Sequence, residues 1–260
     1  MAVFFQSICS SSSGNCLTLW TERTRLVIDC GLGSMKKTRA VLDSLQTPQT
    51  NAVLLSHVHS DHIGYYPLKM LETAQLPVYL HEDCRRQLKD RHFRDYGFKG
   101  LKTDFFADQP FTIGDFRIKP FAVPHMPGFP TFGFECHAEG KKIVIATDFL
   151  KWSEVFDHFV DADFIFVESN HDLKLLRQYY NPNSRFHLPN PQTAELLVNV
   201  QRQSRRIIQS VVLGHISSQR NKPRIALDET KNAFERSGLQ MNFDLQAAPL
   251  KEPGLPVCIF

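Results

Sequence analysis

The stretch LLSHVHSDHIGYY, residues 54–66, holds His57, His59, Asp61 and His62 within six positions, straight after the apolar run AVLLS. Four such side chains are expensive in a core, because each buried polar group needs a partner. A bound cation would supply that partner. Leaving a strand end, the H-x-H pair points two imidazoles to one side while the next Asp-His pair turns elsewhere, which suits two ions close together. Imidazole nitrogen with carboxylate oxygen and no thiolate favours zinc first, with manganese or iron as alternatives. Two such ions sharing a water would bring its pKa from 15.7 toward about 7 and give hydroxide at neutral pH. The chemistry expected is hydrolysis.

A loop of this kind needs strands to aim it. Short β-type runs recur along the chain: VFFQSI, CLTLW, RLVID, AVLLS, LPVYL, FRIKPFAVP, TFGFECH, KIVIAT, DFIFVES and IIQSVVLGH. Turn signals around Gly14, Gly114 and Gly140 separate several of them. Helical patterns fall between others: MKKTRAVLDSL, PQTAELLVNVQRQ with Pro191 in its first turn, and PRIALDETKNAFERSG with Gly238 as its stop. Hairpins dominate the first two-thirds. β-α units occupy Leu26 to Leu55 and the part after Phe164, so mixed sheets covered by helices are expected. No linker, short-period repeat or low-complexity tail interrupts residues 1–260, which predicts a single domain.

Composition narrows the setting. At 42% hydrophobic and 22% charged residues, a sizeable core is expected. The opening MAVFFQSICS lacks a basic stretch and a long enough apolar run for a signal peptide, and no apolar run reaches the roughly 18 residues of a membrane span. A cytoplasmic protein is expected, and its six scattered cysteines read as reduced core residues. A formal charge of +3 does not by itself imply nucleic acid. Arg85 to Lys102 is denser, with seven Lys/Arg against two Asp and with Phe93, Tyr96 and Phe98 among them. It reads either as a solvated helix face followed by a turn or as a basic, aromatic surface for nucleic acid.

H-V-H-S-D-H matches the H-x-H-x-D-H signature of the metallo-β-lactamase fold hydrolases, and the chain resembles that family. The resemblance implies an α/β (α+β) fold: a four-layer αββα sandwich of two mixed sheets flanked by helices. It also implies further ligands at later strand ends. His125 in FAVPHM, Asp148 in VIATDF and His215 in VVLGHIS resemble them. On that pattern His57, His59 and His125 hold one divalent ion, Asp61, His62 and His215 hold a second, and Asp148 bridges the two. ICSSSSGNC, TRLVIDCG, ESNHD and GHISSQRNKP look like the YycJ (WalJ) branch, whose usual pair of asparagines is Arg220 and Asn221 here.

Asp29 resembles the family aspartate that supports the histidine loop, or is a plain strand-end turn. Ser10 to Asn15 either offers hydroxyls and backbone N–H groups to a phosphate or is a polar hairpin connection. Ser13, Asn15 and Asn221 are the substrate-binding candidates, and Asp61, His171 and His187 the catalytic ones, with either histidine available to protonate a leaving group or hold a phosphate. The YycJ likeness implies a metal-dependent phosphodiesterase or nuclease, including 5′-to-3′ exonuclease action, with nucleic acid as substrate. The alternative is a small-molecule hydrolase of the same fold, acting on a thioester, lactone or cyclic phosphate. Phe121, Phe129 and Phe132 would line its apolar pocket unless they are core.

Overall fold

Each half of the chain lays down strands and covers them with helices. The computed structural model describes residues 2–93 and 97–260. Strands β1 (Val3–Ser11) and β2 (Gly14–Trp20) form a hairpin, and β3 (Arg25–Ile28) adds antiparallel to β2. Helix α1 (Met35–Ser44) starts where the Ser34 side chain accepts the Lys37 N–H, a ready N-cap, and its crossover brings β4 (Thr50–Leu54) parallel to β3. Helix α2 (Tyr65–Thr73), β5 (Val78–His81), α3 (Arg85–His92) and β6 (Thr103–Phe106) continue the sheet in parallel.

The second sheet repeats the plan. Antiparallel strands β7 (Phe111–Ile113), β8 (Phe116–Ala122), β9 (Phe132–Ala138) and β10 (Lys141–Ala146) come first. Then α4 (Phe156–Phe159), β11 (Phe164–Glu168), α5 (Leu173–Gln178), α6 (Asn190–Gln203), β12 (Ser210–Gly214), α7 (Pro223–Arg236) and β13 (Asp244–Ala247) add strands in parallel. The last strand, β14 (Val257–Ile259), returns to pair with β1. Two seven-stranded mixed sheets result, ordered β14-β1-β2-β3-β4-β5-β6 and β13-β12-β11-β10-β9-β8-β7.

Phe5 of β1 meets Phe164 and Phe166 of β11 at ring-centroid distances of 4.7 and 5.3 Å, so one apolar core fills the space between the sheets. Leu42, Leu68, Leu71 and Leu88 from α1, α2 and α3 join it from the outer side of the first sheet. A second cluster lies beneath α4, α6 and α7, with Phe159, Leu197 and Phe234 fully buried or nearly so. The expected αββα architecture is present.

Four strands were not among the expected runs. β6, β7, β13 and β14 are three or four residues long, and their residues are mostly half-exposed or exposed, so no apolar run announces them. The six cysteines are free, five of them buried, as small core residues would be. Among the described residues no helix is long and apolar enough to cross a membrane.

Candidate metal centre

The candidate residues collect where strands end. Asp29 follows β3, Ser56 to His62 follow β4, His125 follows β8, Asp148 follows β10, Glu168 ends β11 and His215 follows β12. Open α/β sheets present their sites at such carboxyl ends. Three of these residues take the left-handed backbone conformation: Asp29 (φ 59°), Asp148 (φ 59°) and His215 (φ 49°). Outside glycine this conformation persists only when surrounding contacts over-determine it. For Asp29 the contacts are the Ser56 N–H and Oγ–H, which donate to its carboxylate at 2.9 and 2.8 Å. For His215 they are its own N–H, donating to Ser10 Oγ at 2.7 Å, and its carbonyl, accepting from Asn170 Nδ2 at 2.9 Å. The histidine loop is pinned too. Asn15 N–H donates to the Asp61 carbonyl at 2.8 Å and Cys30 N–H to the His62 carbonyl at 2.6 Å.

Two groups of ligand-type atoms form. His57 Nε2 faces His59 Nδ1 at 2.9 Å, and His125 Nε2 lies 3.4 Å from that same His59 nitrogen. In the second group Asp61 Oδ2 stands 3.5 Å from His62 Nε2 and 3.3 Å from His215 Nε2. Asp148 lies between them. Its Oδ1 is 4.0 Å from His125 Nε2, and its Oδ2 is 3.0 and 3.4 Å from His62 and His215 Nε2. The far ring nitrogens are held in turn: His62 Nδ1 by Asp29 Oδ2 at 2.7 Å, and His125 Nδ1 by the Phe186 carbonyl at 3.1 Å. His57, His59 and His125 can hold a cation together, as can Asp61, His62 and His215.

These residues fit divalent ions. Asp148 Oδ2 is buried and accepts no hydrogen bond from protein, and facing imidazole nitrogens can share at most one proton per pair. A cation satisfies both conditions, and carboxylates or carbonyls behind metal-binding imidazoles are the usual support.

Charge divides the imidazoles. Burial holds His57 and His125 below their ordinary range and brings His59 down to about 4. Burial opposes the charged form of His62 and His215 as well, but there carboxylates prevail. Asp148, Asp29 and Asp61 raise His62 well above its usual value, while Asp148, Asp61 and Glu168 push His215 up to about 10. Against their own burial, His215 and His62 keep Asp148 well below the carboxylate range. Glu168, fully buried, is likewise held down to about 2 against its burial, by His187 and His215.

A cavity of about 390 Å³ opens over both groups, lined among others by Ser12, Arg91, Phe129, Asn170, His187 and Arg220. It separates the candidates. His187 lines it, with Nδ1 3.1 Å from Glu168 Oε2 and 3.5 Å from Asp148 Oδ1. His171 lines a neighbouring groove instead. Of the substrate-binding candidates none is in the lining. Ser13 bonds Ser11 on the hairpin turn, where its neighbour Ser12 takes the lining position. Asn15 is buried, its Nδ2 3.1 Å from His62 Nε2. Asn221 is buried against Ser169 and Asn190, while Arg220 faces the cavity.

The basic segment also divides. Phe93 and Phe98 are half-buried, packing on the core and on each other at 4.8 Å, and neither lines the cavity. Tyr96 lies outside the described residues. Arg91 does reach the cavity, over the Phe129 ring at 5.1 Å. Phe121 and Phe132 are core, and only Phe129 of the three phenylalanines is in the lining. Sequence reading passed over Glu168 and Asn170 as parts of the site, although a carboxylate closing the apolar run DFIFV was the same signal that marked Asp148.

Comparison with known proteins adds four findings. The family model described as the beta-lactamase superfamily domain matches residues 24–216. The chain is 26% identical over 252 residues to the exodeoxyribonuclease WalJ of Streptococcus pneumoniae, covering 93% of this chain and 92% of that protein. It is also 26% identical over 253 residues to the exodeoxyribonuclease YycJ of Bacillus anthracis, covering 92% and 91%. Among solved structures, the metallo-β-lactamase fold protein YhfI of Bacillus subtilis matches with a TM-score of 0.74 at 17% identity, over 99% of this chain and 100% of that one.

Proposed function

The chain belongs to the β-lactamase superfamily, and from that premise we propose that it is a metal-dependent phosphodiesterase that hydrolyses nucleic acid, DNA first. The observation that carries this is the meeting of two ligand groups around Asp148 beneath a cavity that Arg91 and Arg220 both line. Arginines suit phosphate because their planar donors match its oxygens. His57, His59 and His125 would hold one divalent ion and Asp61, His62 and His215 the other. Asp148 offers one oxygen to each group. Zinc is the first choice and manganese or iron the alternatives. Bound there, such ions polarise a phosphoryl oxygen and make water nucleophilic near neutral pH.

The chain's own residues supply the rest. Asp29 keeps the proton of His62 on Nδ1, which turns Nε2 toward the site. The Phe186 carbonyl does the same for His125. His187 is the better placed of the two catalytic histidines, since it lines the cavity and His171 does not. Its Nδ1 faces Glu168 and Asp148, which leaves Nε2 as the nitrogen to protonate a leaving oxygen or to hold a phosphate. Two relatives named as exodeoxyribonucleases support the nucleic-acid reading. The small-molecule alternative loses its apolar walls with Phe121 and Phe132 in the core.

The deciding experiment follows 5′-labelled single- and double-stranded DNA and RNA with zinc or manganese supplied, beside an Asp148→Ala control. Degradation that requires Asp148 is expected. Protein that carries its metal and degrades none of the four polymers would overturn the reading and return attention to small esters and cyclic phosphates.

A further inference from the structure

We propose that the groove beside the metal cavity, walled by Tyr180 and Arg185, is a subsite for one nucleotide flanking the scissile phosphate of a single-stranded nucleic acid. Tyr180 stacks on its base and Arg185 meets its phosphate. The inference rests on the phosphodiesterase reading and extends it to the form of the substrate.

Four observations converge on this groove. First, it is continuous with the catalytic space: the groove, about 280 Å³, and the metal cavity share Asn181, Ser184 and His187 in their linings. Second, the segment that walls it is apolar where a surface segment should be polar. Helix α5 buries none of its six residues. Of the eight large hydrophobic residues exposed among those described, Leu173, Tyr179 and Tyr180 fall within this one stretch, and Tyr180 is 79% exposed. Clustered exposed apolar side chains mark a binding surface more often than they occur by chance.

Third, the charge suits a phosphate backbone. Lys174, Arg177 and Arg185 stand in residues 173–187, which carry no acid. Asp172, just before them, is spent as the α5 cap, its carboxylate accepting the N–H groups of Lys174 and Leu175. The Asp172 N–H donates to the Arg220 carbonyl at 2.8 Å, which ties the start of this stretch to a cavity-lining arginine whose buried Nε has no hydrogen-bond partner. Fourth, the far end of the segment is rigidly joined to the metal centre. The Arg185 guanidinium lies 4.6 Å over the Phe186 ring, and the Phe186 carbonyl holds His125. A strand whose scissile phosphate sits at the ligand groups can therefore run past Asn181 and Ser184 into this groove.

Single-stranded substrate follows from the ring. A tyrosine face binds a base only when that base is unstacked from its neighbours, and within a duplex it is not. Base–aromatic stacking and backbone cations together are the usual means of holding single strands.

The test measures dissociation constants by fluorescence anisotropy for a labelled single-stranded 12-mer and its duplex, across a range of salt, with cleavage of the same strand followed in parallel. Wild-type protein, Tyr180→Ala, Tyr180→Phe and Arg185→Gln are compared. Tyr180 is exposed enough that its replacement leaves the core untouched. Tyr180→Ala is expected to weaken strand binding roughly 5- to 150-fold with an unchanged salt dependence, and Tyr180→Phe to stay within about twofold of wild type, because stacking needs the ring and not the hydroxyl. Arg185→Gln is expected to reduce the slope of log affinity against log salt by about 0.7, one phosphate contact on a single strand.

Strand affinity within twofold of wild type in Tyr180→Ala would overturn the inference, as would equal losses for strand and duplex, or a Tyr180→Phe variant as weak as the alanine. An unchanged slope would overturn the role of Arg185. Wild-type protein that neither binds nor cleaves any strand overturns the phosphodiesterase reading and this inference with it. Cleavage by wild type with unaltered binding in Tyr180→Ala overturns the inference alone.

Discussion

His62 Nδ1 stands 2.7 Å from Asp29 Oδ2, and Ser56 donates to the same carboxylate from both its N–H and its hydroxyl. Asp29→Asn keeps the shape and removes the charge that orients this imidazole, so metal affinity is expected to fall roughly 10- to 100-fold. A competitive chelator titration measures it, and an unchanged affinity would show Asp29 to be only a turn residue. Protonation offers a second test at this scale. His57, His59 and His125 sit below their ordinary range and are neutral at neutral pH, each with a single ring N–H, whereas His62 is raised and His215 lies at about 10. A cation bound at Nε2 of the last two must expel their protons. Metal affinity is thus expected to climb as pH rises from 7 toward about 10, where His215 gives up its proton unaided. Calorimetry at pH 8 in two buffers of different ionisation enthalpy should give different heats; identical heats would count against charged His62 and His215.

Elements set the distances between these residues through backbone contacts that leave no slack. A Cβ on Gly31, just past β3, would lie 1.8 Å from the Asp61 carbonyl oxygen, which the Asn15 N–H already holds at 2.8 Å. Because the obstacle is pinned backbone, Gly31→Ala is expected to destabilise the protein by about 1–3 kcal/mol or more and to lower its metal content by displacing the histidine loop. Chemical denaturation and metal analysis of the purified variant test this together, and a variant with full stability and full metal content would mean the loop can shift freely. The elements themselves were mostly legible, because ten of the apolar runs are strands with buried faces. The strands that went unread are short ones whose polar, exposed positions leave no pattern. The strained φ angles at Asp29, Asp148 and His215 have no sequence signature beyond residue type, since aspartate and histidine tolerate this conformation better than most residues.

At the scale of the molecule, the candidate ligands come from both sheets. The His57 to His62 loop extends from the first sheet, while His125, Asp148 and His215 extend from the second. Metal binding should therefore stabilise the whole sandwich rather than one loop. At a free concentration about a hundred times the dissociation constant, the gain is about 2.7 kcal/mol. Scanning calorimetry with and without a chelator should show the melting temperature falling on metal removal, and no shift would mean the two sheets do not share the ions. Local patterns along the chain were enough to mark the His57 to His62 loop as a candidate cation site, to place ten strands and to predict mixed sheets covered by helices, because hydrophobic periodicity and turn chemistry act within a few residues. The αββα plan and the candidates His125, Asp148 and His215 came from the family resemblance. Only tertiary structure decided that His187 and not His171 lines the cavity, that Glu168 and Asn170 stand behind His215, that Arg220 and not Asn221 faces inward, and that Phe93 and Phe98 pack against the core while Tyr180 is exposed. Those outcomes depend on how loops from two distant sheets meet, and no residue's neighbours in sequence encode that register.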